Sequence, residues 1–257
     1  MKILILGRGK TGTTAILFKV AGGLPNCKAF SGGDIGKHLG DYDNAVYKQT
    51  YSERKGRTLV AYREHATEID YDRKIWMARD PRDAAVSRML FRWHKGNWGQ
   101  RKQYRKHLEL VQKKEQDPRS IPFHILFSYI GQDSRPMNID ELVKMERVRY
   151  QQMSDFAESL TSDWFIFKYE DMIEKNYDGL NEYLGFEIKD DAEIPTTTKK
   201  SKVVRKKAYG DWRHWYTQAD VDIFKPAYLP YMKTMGYDCD DWALSANPVI
   251  EPGFSSL

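Results

Sequence analysis

The chain has 257 residues, of which 41% are apolar and 30% charged, the ordinary content of a globular protein with one substantial core. Its 41 Lys and Arg against 36 Asp and Glu leave a net charge of +5, an excess that suits an anionic ligand without demanding nucleic acid. The two cysteines, Cys27 and Cys239, lie far apart with no metal-ligand spacing, which argues against a disulfide framework and for reduced thiols.

Residues 2–6 form a short apolar run that predicts a buried strand. It is too short for the apolar region of a signal peptide, and no later stretch approaches the roughly 20 apolar residues of a membrane span. A soluble, cytoplasmic protein is the expectation. A Gly/Thr-rich turn follows at Gly7, then a helix over Ala15–Val20, stopped by Gly22, Gly23 and Pro25. Strand, tight glycine loop and helix are how a nucleotide-binding α/β protein opens. Further strands are expected at 58–62 and 74–78. The latter runs into Arg79-Asp80-Pro81, with Pro81 at a favoured helix-start position and helix onward from Ala84 to Trp93. The segment 93–155 is basic, aromatic and helical in outline, broken at 96–99, Pro118, Pro122 and 131–136. A helix with Leu142, Met145 and Val148 on one stripe covers about 139–160. Trp164–Phe167 reads as a buried strand leading into Tyr169, and a helix carrying Leu180 and Leu184 ends at Gly185. Residues 190–208 read as a basic surface loop, and a last helix over 218–235 ends at Gly236. Without an internal repeat or a linker, one domain over 1–257 is expected: an α/β fold with a central, mostly parallel sheet flanked by helices.

The loop Gly7-Arg8-Gly9-Lys10-Thr11-Gly12-Thr13-Thr14 has the glycine gap of a nucleoside-triphosphate phosphate loop. Its lysine is displaced, however: Thr13 stands where that motif needs lysine. The physics survives the rearrangement. Glycines let the backbone approach an anion, the N–H groups of Gly12, Thr13 and Thr14 open a helix, and Lys10 supplies a point charge. A kinase or NTPase using ATP and Mg²⁺ is the rival reading, and Asp80 its best metal-binding candidate.

Two more segments carry anion chemistry. In Arg79-Asp80-Pro81-Arg82-Asp83-Ala84-Ala85-Val86-Ser87, a phosphate fits between the Arg79 guanidinium and the Ser87 hydroxyl; surface ion pairing at a helix start is the plainer alternative. Arg205-Lys206-Lys207 ends a basic run that closes on the turn Gly210-Asp211-Trp212. Such a run is otherwise a solvated loop or a nucleic-acid patch, so a non-catalytic basic protein binding through 199–207 and 92–106 is a second rival.

Taken in order, these segments resemble the soluble sulfotransferases that use 3′-phosphoadenosine 5′-phosphosulfate (PAPS), a P-loop-NTPase-like fold. The resemblance implies that Arg8, Gly9, Lys10, Thr11, Gly12, Thr13 and Thr14 hold the 5′-phosphosulfate. It implies that Arg79, Ser87, Arg205, Lys206 and Lys207 hold the 3′-phosphate, and that Tyr169 contacts the nucleotide. Lys207 departs from the family's usual glycine, and Ala15 from the tryptophan that many members stack on adenine. The product would be adenosine 3′,5′-bisphosphate. Tyr62-Arg63-Glu64-His65 is similar to the family's Lys-x-His, which makes His65 the expected base, Glu64 its competitor and Arg63 a further phosphosulfate ligand. The expected acceptor is a hydroxyl or an amine of a small molecule, a natural product for example, with neither nucleic acid nor membrane as partner and no metal. The helical insertion at 93–155 either covers that acceptor or is core.

Overall fold

Among the described residues five parallel strands form the sheet, β1 (Lys2–Arg8), β2 (Lys28–Ser31), β3 (Ala45–Tyr51), β4 (Arg73–Ala78) and β5 (Trp164–Lys168), in the order β2-β3-β1-β4-β5. The computed structural model describes residues 1–31, 41–51, 70–91, 101–130, 135–192, 194 and 208–251. They fall into two compact units, one of Met1–Arg79 with Glu158–Lys207 and one of Asp80–Ala157 with Ala208–Leu257.

In the first unit β1 is central because it can be: Ile3, Leu4, Ile5 and Leu6 are buried on both faces, as a parallel strand covered on both sides requires. Helix α1 (Thr13–Gly22) packs Ile16, Leu17 and Val20 into the core shared by Ile3, Ile5, Ile75, Met77 and Phe167. Two short helices, α6 (Tyr169–Glu174) and α7 (Asp178–Leu184), follow β5, and α7 ends at Gly185 in the left-handed conformation (φ 78°), which glycine adopts without strain. The strands expected at 2–6, 74–78 and 164–167 are present. That expected at 58–62 lies outside the described residues, and β2 and β3 were not anticipated.

The second unit is helical: α2 (Pro81–Phe91), α3 (Arg101–Gln116), α4 (Phe123–Phe127), α5 (Ile139–Glu158), α8 (Trp212–Trp215) and α9 (Gln218–Thr234). Its core is aromatic. Phe123 stacks on Phe127 and Tyr216, and Phe224 on Tyr228. Phe123 and Phe127 are fully buried, so this part of the insertion is core. Two carboxylates organise the polar interior. Glu146, on α5, receives the Arg88 and Arg149 guanidiniums and the Tyr228 hydroxyl. Asp220 accepts N–H groups of Phe123, His124 and Thr217, each at 2.8 Å, and so caps α4 and α9 together. Among the described residues no helix is long and apolar enough to cross a membrane.

Candidate functional site

Strand order sets the place. From β1 the chain runs through α1 to β2 on one side, while β4 and β5 lie on the other, so the carboxyl end of β1 is where open α/β sheets bind ligands.

The loop leaving that end is tightly built. A Cβ on Gly7 would lie 2.6 Å from the Thr13 Cγ2 and 2.8 Å from the Met77 Cβ, so no larger residue fits. The Thr11 hydroxyl donates to the Arg8 carbonyl at 2.8 Å. Lys10 and Gly12 both sit at positive φ, 80° and 83°, and curl the backbone into the first turn of α1. Gly12 is the N-cap of α1; it offers no side chain, and no acidic residue occupies the first turn. The first N–H groups of a helix have no carbonyl partner within it and carry the positive end of its dipole. With no carboxylate in the first turn to balance them, they present a positive end of the kind anions bind.

Three side chains of the same unit close on this loop. Arg79, just beyond β4 and 9% exposed, donates from Nη1 to the Lys10 carbonyl at 3.0 Å. Its guanidinium lies 4.0 Å from the centroid of the Tyr169 ring, and its Nε, also buried, has no hydrogen-bond partner among the described residues. Tyr169, the first residue of α6, packs against Gly12 so closely that a Cβ there would stand 2.7 Å from its Cδ2. Lys48, 4% exposed on β3, donates from Nζ to the Thr14 hydroxyl at 3.1 Å.

Of the residues expected here, Arg8, Gly9, Lys10, Thr11, Gly12, Thr13, Thr14, Arg79 and Tyr169 are therefore together around one loop. Lys48 went unrecognised because β3 itself was not anticipated, and its contact with Thr14 is a tertiary one. Arg63, Glu64, His65, Arg205, Lys206 and Lys207 lie outside the described residues.

Ser87 lies in the second unit, half-buried on α2. At the start of that helix the Arg82 guanidinium is held by Asp80 (2.6 Å from Nη2) and lies 4.1 Å from the Trp212 ring and 4.8 Å from Trp242. Asp83 accepts the N–H groups of Gly210 (2.6 Å) and Trp212 (3.2 Å). These charges are buried, so they are not the surface ion pairs of the plainer reading. They anchor the Gly-Asp-Trp turn. The Asp80 carboxylate, the best candidate for a metal-binding acid of the NTPase type, is engaged by Arg82.

No protein-family model matches the chain, and no curated protein matches its sequence. Among solved structures it is similar to a mouse sulfotransferase, SULT7A1, in complex with PAP, with a TM-score of 0.55 and 14% identity over 94% of this chain and 89% of that one. At that identity the likeness speaks for architecture alone: the chain has the α/β fold of a sulfotransferase, with an all-parallel five-stranded sheet flanked by helices.

Proposed function

We propose that this chain is a sulfotransferase that takes a sulfuryl group from PAPS to a hydroxyl or an amine of a small-molecule acceptor, working as one functional domain in the cytoplasm. The observation that carries the reading is Lys10. A lysine at φ 80° is in a conformation that costs an L-residue about 1 kcal/mol or more and that glycine would adopt freely. Strain of this kind is kept where the side chain is needed, here a cation on the loop at the end of β1.

The residues present fit such a nucleotide. Gly7 has no room for a side chain, no acid lies in the first turn of α1, and the buried Arg79 Nε has no hydrogen-bond partner among the described residues. When bound, PAPS would supply an activated sulfuryl group. Lys10, Lys48 and the N–H groups of Thr13 and Thr14 would hold the 5′-phosphosulfate, with Arg8, Gly9, Thr11 and Gly12 shaping the loop. Negative charge grows on the phosphate oxygen as the sulfuryl group leaves, so a fixed lysine there stabilises the transition state more than the ground state. Arg79, Ser87, Arg205, Lys206 and Lys207 are assigned to the 3′-phosphate by the family resemblance, as are His65 to proton removal from the acceptor, with Glu64 the alternative, and Arg63 to the phosphosulfate. The likeness to a solved sulfotransferase in complex with PAP supports the same reading.

Thermal unfolding with adenosine 3′,5′-bisphosphate and, separately, with ATP and Mg²⁺ tests it, because a ligand raises stability only by binding the native state. The bisphosphate is expected to raise the Tm. Stabilisation by ATP and Mg²⁺ alone would overturn the proposal.

A further inference from the structure

Two arginines three positions apart, Arg79 and Arg82, are both buried and both face aromatic rings, yet they are held in opposite ways. Arg82 spends its donors. Nε and Nη2 go to the Asp80 carboxylate and Nη1 to the Asp241 carbonyl, so its charge is matched by an acid and its role is to brace the turn at Trp212. Arg79 is held by a ring face and a neutral carbonyl: Tyr169 at 4.0 Å and the Lys10 oxygen at 3.0 Å. A ring face attracts a guanidinium through its quadrupole and consumes none of its five N–H donors. The cation is thus fixed in a plane with no carboxylate hydrogen-bonded to it among the described residues, where its buried Nε also has no partner.

We infer that Tyr169 is a positioning residue that acts through Arg79. Its ring is the floor that keeps the guanidinium flat against the phosphate loop and leaves its N–H groups for an anionic oxygen of the bound nucleotide. The same ring abuts Gly12, so one side chain sets both the backbone of the loop and the cation beside it. This rests on the sulfotransferase reading and differs from the expectation that Tyr169 touches the nucleotide itself. The face of the ring matters here; its hydroxyl does not.

Calorimetric titration with adenosine 3′,5′-bisphosphate tests it on the full chain and on Tyr169→Phe, Tyr169→Leu, Arg79→Met and the double variant Tyr169→Leu/Arg79→Met. Tyr169→Phe keeps the ring and is expected within about twofold of wild type, while Tyr169→Leu binds roughly tenfold more weakly, the scale of a desolvated cation–ring contact. In the Arg79→Met background the leucine substitution is expected to cost less than about twofold, since the group it positions is gone. Equal penalties in both backgrounds overturn the inference, as does a Tyr169→Phe variant as weak as Tyr169→Leu. Should Tyr169→Leu fail to fold, Tyr169→Met, which fills much of the ring's space without its face, carries the same cycle. No binding to the wild-type chain overturns the sulfotransferase reading and this inference with it. Binding with additive penalties overturns this inference alone.

Discussion

The ammonium of Lys48, buried in β3, donates to the hydroxyl of Thr14 across 3.1 Å at the first turn of α1. A second lysine thus stands beside the loop that already carries Lys10. A buried cation is held by the groups around it, and an anion at the helix start would add to them. Replacing Lys48 by methionine keeps the length and removes the charge. Lys48→Met is expected to bind adenosine 3′,5′-bisphosphate about 10- to 100-fold more weakly, the range of a lost charge-assisted hydrogen bond, with stability within about 1 kcal/mol of wild type. Titration calorimetry beside urea unfolding checks both halves, and an affinity within twofold of wild type would exclude Lys48 from the site.

Lys10 separates strain from chemistry. Lys10→Ala removes the ammonium and keeps the unfavourable φ of 80°; Lys10→Gly removes both. Sulfuryl transfer is expected to fall by at least about a hundredfold in each, as when a fixed electrostatic group is lost. Urea unfolding should show Lys10→Gly more stable than Lys10→Ala by about 1 kcal/mol. The reverse order would mean that the backbone at Lys10 is not strained.

His65 is tested by separating binding from chemistry. His65→Ala is expected to lose transfer while keeping the thermal stabilisation by adenosine 3′,5′-bisphosphate, because a general base acts on the acceptor's proton. Full activity in that variant moves the role to Glu64, and Glu64→Gln then becomes the inactive one.

The second unit is tested through Asp220. Burial pushes this carboxyl's pKa up, but hydrogen bonds from His124, Thr217 and Phe123 outweigh it and hold the group below the usual carboxylate range. A lowered folded pKa gives stability that is present above the unfolded value near 3.9 and is lost as pH falls through the folded one. Asp220→Asn turns an amide toward these donors and is expected to cost about 2–4 kcal/mol at pH 7. The gap between wild type and variant, followed by urea unfolding, should narrow on acidification below about pH 5. A gap independent of pH would show that the carboxylate charge contributes nothing.

Much of the fold was legible because local and tertiary demands agree. Ile3–Leu6 had to be a covered parallel strand, Pro81 had to begin a helix, and Gly185 had to end one. Lys10 and Arg79 were legible as anion-binding residues from residue type and place in the chain. What stayed hidden depends on partners far away in sequence. Lys48 breaks the apolar pattern of β3 and meets Thr14, 34 positions earlier, only once the chain has folded. Asp83 looks like an ordinary acid in the first turn of a helix, yet it accepts N–H groups more than a hundred residues downstream. The stacking of Arg79 on Tyr169 joins the ends of two strands that neighbour each other only in the sheet.

The bond between Asp83 and the Gly210 amide spans 127 residues, and it bears on the order in which the chain is synthesised. The first unit has all its parts once Lys207 has emerged from the ribosome, whereas Asp80–Ala157 must wait for Ala208–Leu257. At ~5–20 residues per second that wait lasts several seconds. Until Trp212, Tyr216, Phe224 and Trp242 have emerged in turn, Arg82 lacks its tryptophans and Phe123 the rings of Tyr216 and Phe224. A nascent chain halted before Trp212 therefore displays an unfinished aromatic core, the kind of surface that chaperones bind.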